Sequence, residues 1–507
     1  MDLKTRFQLS LLFFLEFFIW GAWFVTMGTY LSQEFSASGG QLAMAYETQS
    51  IGAIIAPFII GLIADRYFEA QKILGILHLL GGILLFVAAS AESFNLFYPY
   101  IFIYMLLYMP TLALANSVAF HQMENPAKEF APIRVLGSIG WIIAGLSIGY
   151  FSWEGKAILK NTFYMASIAS ILIGLFSFTL PKTPPKADRE KKITLREILG
   201  LDALAMLKDR GFLFFFIGSI LICIPLAFYY QHANQFLNEL GMKAAASKMI
   251  LGQISEVVFL LLLPLFLKRY GVKNALIVGI LAWGLRYLLF AFGDTGEKTW
   301  MLLFGIILHG VCYDFFFVSG QIYTDFKAGE KFKSSAQGLI TLATYGVGML
   351  IGFRFAGWLT DQYVTEGGHL WKEIWLQPAI FSFIVLVFLL ASRGFLGVLP
   401  TFEELENPEN NLATEVISSD GKTLGKYAAE NRTPIKYKDL PNNIVEALIA
   451  TEDERFYEHS GIDFRGTARA VLKPGSGGAS TITQQLARML FTGRKSRNKI
   501  KRVLQKV

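Results

Sequence analysis

The chain has 507 residues, 53% hydrophobic and 17% charged, with 45 Phe and a mean hydropathy of +0.45. A water-soluble fold of that composition would have to expose much of its apolar surface, so most of the chain is expected in a bilayer. The formal charge of +7 does not indicate nucleic acid, because Lys and Arg fall mainly between apolar runs and in the last fifteen residues, where they act as topology signals.

After "MDLKTR", the first apolar run covers about residues 8–31. It is longer than a signal-peptide core and lacks a small-residue cleavage site, so it is expected to stay as the first membrane helix. Runs long enough to cross about 30 Å of hydrocarbon at 1.5 Å per residue number twelve, at roughly 8–31, 43–64, 71–90, 94–119, 131–152, 162–180, 212–236, 246–267, 273–292, 299–322, 335–359 and 374–395. The connections "DRYFEAQK", "PKTPPKADREKKITLREILG", "KRYGVKN" and "FKAGEKFKSS" are rich in Lys and Arg, whereas "SQEFSASGGQ" and "AESFN" have neither. Both ends of the bundle therefore read as cytoplasmic.

The longest connection, about 181–211, separates a six-helix half at 1–180 from another at 212–395. "PFIIGLIADRYFEAQKILGIL" is echoed by "PLFLKRYGVKNALIVGIL", and Tyr108 corresponds to Tyr313 at a displacement of about 205 residues. Such a repeat predicts two halves around a central cavity in an all-α membrane protein. From about residue 396 the pattern becomes polar and turn-rich, as in "ISSDGKTLGKY", marking a mainly α, water-exposed segment to residue 507. Cys223 and Cys312 lie in apolar runs and offer neither a disulfide framework nor a metal spacing; they read as packing residues.

An ionisable side chain within a span costs at least a few kcal/mol and needs a partner, a wet cavity or a task. Glu16, Glu47, Arg134, Glu256 and Asp314 stand out. One reading is a structural ion pair between halves, such as Arg134 with one acid. The other is a cavity in which a carboxylate takes up a proton and a guanidinium offers donors to a polar substrate. His78, His121, His232 and His309 show no metal-ligand pairing and read as hydrogen-bonded packing.

The segments "FFIWGAWFVTMGTYL", "GLIADRYF", "LLYMPTLALANSVAF", "IRVLGSIGWIIAGL", "GQISEVVF" and "YDFFFVSG" resemble, in order, the nucleoside:proton symporter family of the major facilitator superfamily over about residues 1–390. The resemblance implies a twelve-helix transporter of the bacterial cytoplasmic membrane, with nucleosides and protons as partners and embedded in membrane lipid; no cofactor is expected for transport, and a monomer is expected, with the oligomeric state left open. It places substrate contacts on Arg134, Ser138, Trp141, Gln253, Glu256, Tyr313 and Asp314, with proton coupling at Glu256 and Asp314. Gly61, Asp65 and Arg66 fall on the superfamily's short gating loop, where the charges can pair with helix ends in one state and release them in the other. "PLAFYYQHANQFL" departs from the amide pattern of some relatives and Glu16 stands where relatives can carry Gln, leaving base preference and proton stoichiometry open.

The segments "ALIATEDERFYEHSGIDFRG" and "GGASTITQQLARMLF" resemble the glycosyltransferase domain of class A penicillin-binding proteins, which polymerises lipid II, and the similarity covers about residues 396–507. The resemblance implies Glu452 as general base, a pocket shaped by Asp453, Phe456, His459 and Gly461, and donor-side contacts at Ser480, Thr481, Gln484, Gln485 and Arg488. A divalent metal is an option for a complete domain, and lipid II is a partner only if the tail functions. Family members continue past "RVLQK" into a Lys-Glu pair, whereas this sequence reads "RVLQKV". Twelve crossings from an inner start also leave the tail inside, opposite to where lipid II is polymerised. An inert fragment on a transporter is therefore expected, joined by fusion, frameshift or assembly error, with the join as far back as helix twelve. The alternatives are a bifunctional fusion and a tail whose basic end binds anionic lipid or a partner.

Overall fold

The computed structural model describes residues 1–59, 68–185, 201–391, 414–427, 435, 437–459, 461, 463, 465–466, 469 and 480–487. The chain divides into two units, Met1–Leu389 and Leu390–Val507. Among the described residues of the first unit, nine helices are long and apolar enough to cross a membrane, which makes the protein multi-pass. Gly61, Asp65 and Arg66 of the expected gating loop lie outside the described residues.

The first half contains α1 (Leu3–Trp23), α2 (Met27–Phe35), α3 (Gly39–Ile59), α4 (Ala70–Ala89), α5 (Phe94–Gln122), α6 (Pro126–Tyr150) and α7 (Lys160–Ser177). The second contains α8 (Arg210–Glu239), α9 (Ala245–Phe292), α10 (Thr299–Tyr313), α11 (Ser319–Thr341), α12 (Met349–Gln362) and α13 (Trp371–Ala391). Their apolar runs fold as helices because a bilayer leaves backbone polar groups no water to bond. Side chains supply some of the missing end bonds: the Thr5 N–H donates to Asp2 at 2.6 Å, and the Phe212 N–H donates to Asp209 at 2.8 Å.

Helix α9 has 48 residues, roughly 72 Å if continuous at 1.5 Å per residue and more than twice the hydrocarbon thickness. It is interrupted at Gly271, where φ 75° and ψ 166° suit a residue without Cβ. This is where the two sequence runs 246–267 and 273–292 were expected to separate. Gly329, at φ 61° and ψ 179°, divides α11 in the same way. Five-residue and seven-residue π turns, Asp314–Val318 and Leu342–Gly348, follow α10 and α11.

Within the halves, α1 packs on α6 and α8 packs on α12; between them, α3 meets α12 and α6 meets α9. The halves are fastened at one end. The Gly39 and Gly40 N–H groups, at the start of α3, donate to the two Asp361 carboxylate oxygens at 2.6 and 2.8 Å. Glu154, just beyond α6, accepts from the Ala246 N–H at the start of α9 (3.1 Å to each oxygen) and from the Asn234 and Asn238 amides at 2.9 and 3.0 Å. Thr29 donates to Asn234 at 2.5 Å, and Arg354 grips Glu47 in a two-pronged pair at 2.6 and 3.0 Å. Among the described residues, all side-chain hydrogen bonds between the halves lie at this end.

The described part of the second unit has a hairpin, a longer helix and short turns of helix. Strand Thr414–Ile417 runs antiparallel to Thr423–Tyr427, with Thr414 opposite Tyr427. Gly421, at φ 80°, turns the chain between them. Helix α14 (Asn442–Glu452) starts after Pro441, and a short helix α15 covers Ile482–Ala487.

Candidate functional site

Helical spacing gathers the polar residues. Phe17 and Trp20 lie three apart on α1, while Arg134, Ser138 and Trp141 lie four and three apart on α6. Gln253 and Glu256 are three apart on α9, and His309 and Tyr313 are four apart on α10. All line one cavity between the halves, with Phe24, Gln49, Tyr230 and Tyr345, enclosing about 600 Å³ of empty space including its mouth. Six of the seven residues expected to contact substrate, Arg134, Ser138, Trp141, Gln253, Glu256 and Tyr313, are thus brought together. Asp314 is buried within the π turn behind them, and its carboxylate oxygens have no hydrogen-bond partner among the described residues.

The walls combine aromatic faces with a few fixed polar atoms. The Arg134 guanidinium sits 3.8 Å from the Phe17 ring centre, a cation–π arrangement, and forms no ion pair with a described carboxylate. Trp20 and Trp141 meet edge to face with centroids 5.8 Å apart. Tyr313 and Tyr345 share a hydroxyl–hydroxyl hydrogen bond of 2.8 Å. Gly310 allows α10 to press on α9 beside Glu256: a Cβ there would lie 2.5 Å from the Glu256 backbone nitrogen. The Gly310 N–H donates to Ser255 Oγ at 3.2 Å, and Ser255 Oγ donates to the Ile307 carbonyl, locking the same contact.

The ion-pair alternative holds for Glu47, which binds Arg354 across the halves. Glu16 is wholly buried inside the first half, taking a hydrogen bond from Thr111 at 2.6 Å and facing His78 Nε2 at 2.9 Å. His232 meets Thr360 Oγ1 at 3.0 Å. Those two histidines are hydrogen-bonded packing, as expected, but His309 is not only that. It lines the cavity, with Nε2 3.8 Å from Glu256 Oε2, and its Nδ1 lies 3.1 Å from Arg286 Nη1. Arg286 is fully buried 3.4 Å from the Tyr229 ring centre, and sequence reading passed over it. The available signal was a lone Arg in the apolar run 273–292, costly unless it has a partner or a task.

In the second unit, a cleft is lined by Ala450 to Arg455, Asp463, Arg469, Ser480 and Thr481. Gln485 Nε2 donates to Glu452 at 2.8 Å. The Gly461 N–H donates to His459 Nδ1 at 3.2 Å, leaving the His459 proton on Nε2, 3.0 Å from Asp453 Oδ1. The other Asp453 oxygen accepts from the Ile482 N–H at 3.0 Å. Thr481 donates to the Gly461 carbonyl at 2.5 Å, and Gln484 Oε1 accepts from the Thr481 N–H at 3.1 Å. The Gly466 N–H and the paired Arg455 hold the Asp463 carboxyl below its usual range. Ser480 and Thr481 line the cleft, whereas Phe456 lies in a short turn with its ring 5.3 Å from Tyr457; Arg488 is outside the described residues.

Residues 3–394 match the family model described as nucleoside H+ symporter, and residues 420–507 match the transglycosylase model. YegT of Escherichia coli (strain K12) is 42% identical over 397 residues, 76% of this chain and 93% of that protein. The nucleoside permease NupG of the same organism is 32% identical over 401 residues, 76% of this chain and 95% of NupG. The crystal structure of the nucleoside transporter NupG superposes with a TM-score of 0.70 at 31% identity, covering 77% of this chain and 99% of that one. Penicillin-binding protein 1A of Vibrio cholerae is 42% identical over 114 residues, 22% of this chain, which thereby spans only 13% of that protein.

Proposed function

The chain belongs to the nucleoside H+ symporter family, and from that premise we propose that its membrane body imports nucleosides together with protons across a bacterial cytoplasmic membrane by alternating access. The single observation carrying the proposal is the cavity between the halves: a carboxylate, a guanidinium, amides and aromatic faces converge there while one end is latched shut. Arg134, Ser138, Gln253 and Glu256 supply donors and acceptors for ribose hydroxyls and base edges, and Trp141 and Tyr313 supply ring faces for stacking. Glu256 at the wall and Asp314 behind it, whose carboxylate has no hydrogen-bond partner among the described residues, carry the proton.

The proposed topology has twelve crossings: the nine spans above, with Ala245–Phe292 counted on both sides of Gly271, together with Gly39–Ile59 and Lys160–Ser177. Both ends of the bundle are cytoplasmic, and the latched end faces outward. Uptake of labelled uridine or adenosine tests the proposal. A protonophore is expected to abolish accumulation; undiminished accumulation would refute proton coupling, and no uptake of any nucleoside would refute the substrate.

For the tail we propose that this chain does not polymerise lipid II. General-base help from Glu452 is worth about 10²–10⁴-fold, and it acts on a donor whose diphosphate leaving group must also be held. Glycan formed from lipid II by the purified chain would instead establish a bifunctional protein.

A further inference from the structure

His309 and Glu256 present a donor and an acceptor to the same part of the cavity, and the tautomer of the histidine is determined by its neighbour. An arginine can only donate, so the Arg286 Nη1 contact of 3.1 Å makes His309 Nδ1 the acceptor and places the ring proton on Nε2. That nitrogen faces Glu256 Oε2 at 3.8 Å, too far for a direct hydrogen bond. One oxygen atom can bridge the gap: an atom about 2.8 Å from each would see them at roughly a right angle.

While the coupled proton is on Asp314 and Glu256 is a carboxylate, the bridging atom must accept from N–H and donate to that carboxylate. Carbonyls and unprotonated ring nitrogens of a base only accept, and its N–H and amino groups only donate in their neutral forms. On a nucleoside, a sugar hydroxyl is the group that does both. Resting on the nucleoside reading above, we propose that His309 Nε2–H and the Glu256 carboxylate together read one sugar hydroxyl, with Arg286 as the positioning residue that keeps the histidine proton aimed at it. Arg286 is suited to that task because it is fully buried and held over the Tyr229 ring at 3.4 Å. Neighbouring Gly252 lies 3.1 Å, measured from an ideal Cβ, from the His309 Cβ, so α9 and α10 hold the imidazole closely.

The test compares uridine with 2′-deoxyuridine, 3′-deoxyuridine and 5′-deoxyuridine in the parent, His309→Gln, His309→Asn, Arg286→Lys and Arg286→Met, by competition uptake and by binding to purified protein. Losing one hydroxyl that bridges a neutral and a charged partner should weaken parent binding about 10–100-fold. His309→Gln, whose amide reaches the Nε2 position, should keep that discrimination, and His309→Asn, whose amide reaches only the Nδ1 position, should bring it close to one. Membrane levels and melting temperatures of both variants report that they fold. Arg286→Lys, still a donor to Nδ1, should discriminate better than Arg286→Met. Equal hydroxyl discrimination in His309→Gln and His309→Asn would overturn the proposal while leaving nucleoside transport standing. A parent that takes up no nucleoside would overturn the underlying reading and this one with it.

Discussion

Replacing Glu154 by Ala should unlatch the sealed end. The carboxylate is 6% exposed, accepts two amide hydrogen bonds from α8 at 2.9 and 3.0 Å, and meets the N–H of Ala246, the second residue of α9, with both oxygens at 3.1 Å. Losing a charged acceptor costs about 1.5–3 kcal/mol, and losing a negative charge at a helix N-terminus adds about 0.3–1 kcal/mol. The freed amides regain water only if the end opens, so the cost falls on the closed state. A bias of about 2–4 kcal/mol shifts the open-to-closed ratio by roughly 30- to 700-fold. The assay places a single cysteine at Val25, which lines a small cavity beside Ala246 and Met249, with Cys223 and Cys312 replaced. A membrane-impermeant maleimide applied outside should label it at least tenfold faster in Glu154→Ala, and Asp361→Ala, the matching latch on α3, should act in the same direction. Unchanged labelling in both variants, with normal membrane levels, would refute the latch and the outward assignment of that end.

Glu256→Gln and Asp314→Asn should retain membrane levels yet lose proton-driven accumulation, and Arg134→Lys should raise KM about tenfold as the planar donor fork over Phe17 is lost; parent-like transport in all three would make these residues structural. Gly310→Ala should destabilise by about 1–3 kcal/mol through overpacking, since its Cβ would sit 2.5 Å from the Glu256 nitrogen; a parent-like melting temperature would contradict the close helix contact. Gly271→Ala, with nothing within 4 Å but φ 75° and ψ 166°, should cost about 1–3 kcal/mol of backbone strain, and a larger loss would point to a clash. The Asp209 carboxyl is held below its usual range by Lys327 and the Phe212 N–H. Its support for α8 is therefore complete above the unfolded pKa and fades as pH falls through the lower folded one; Asp209→Asn should flatten the acid limb of a thermal-stability profile.

Much of the site was legible along the chain because a helix has a fixed period. Arg134, Ser138 and Trp141 had to share a face of α6, as did Gln253 and Glu256 on α9, and an ionisable residue in an apolar run already signals a cavity or a partner. Family resemblance supplied which cavity and which substrate class. Asp314 shows the limit of periodicity: one residue after Tyr313, at the start of a π turn, it is buried behind the wall that Tyr313 lines.

The sequence by itself determined that the chain is a multi-pass helical protein, that a polar segment follows its apolar body, and which helix faces carry polar groups. Local periodicity, hydrophobicity and motif order encode all three. Only the tertiary structure decided which faces meet: that Glu47 pairs with Arg354, that Glu154 and Asp361 each close on a helix start in the opposite half, and that Arg286 turns His309 toward Glu256. Those partners lie 23 to 322 residues apart along the chain. A helical period specifies the direction of a side chain about its own axis but not the neighbour it will find there, which is set by how the helices pack.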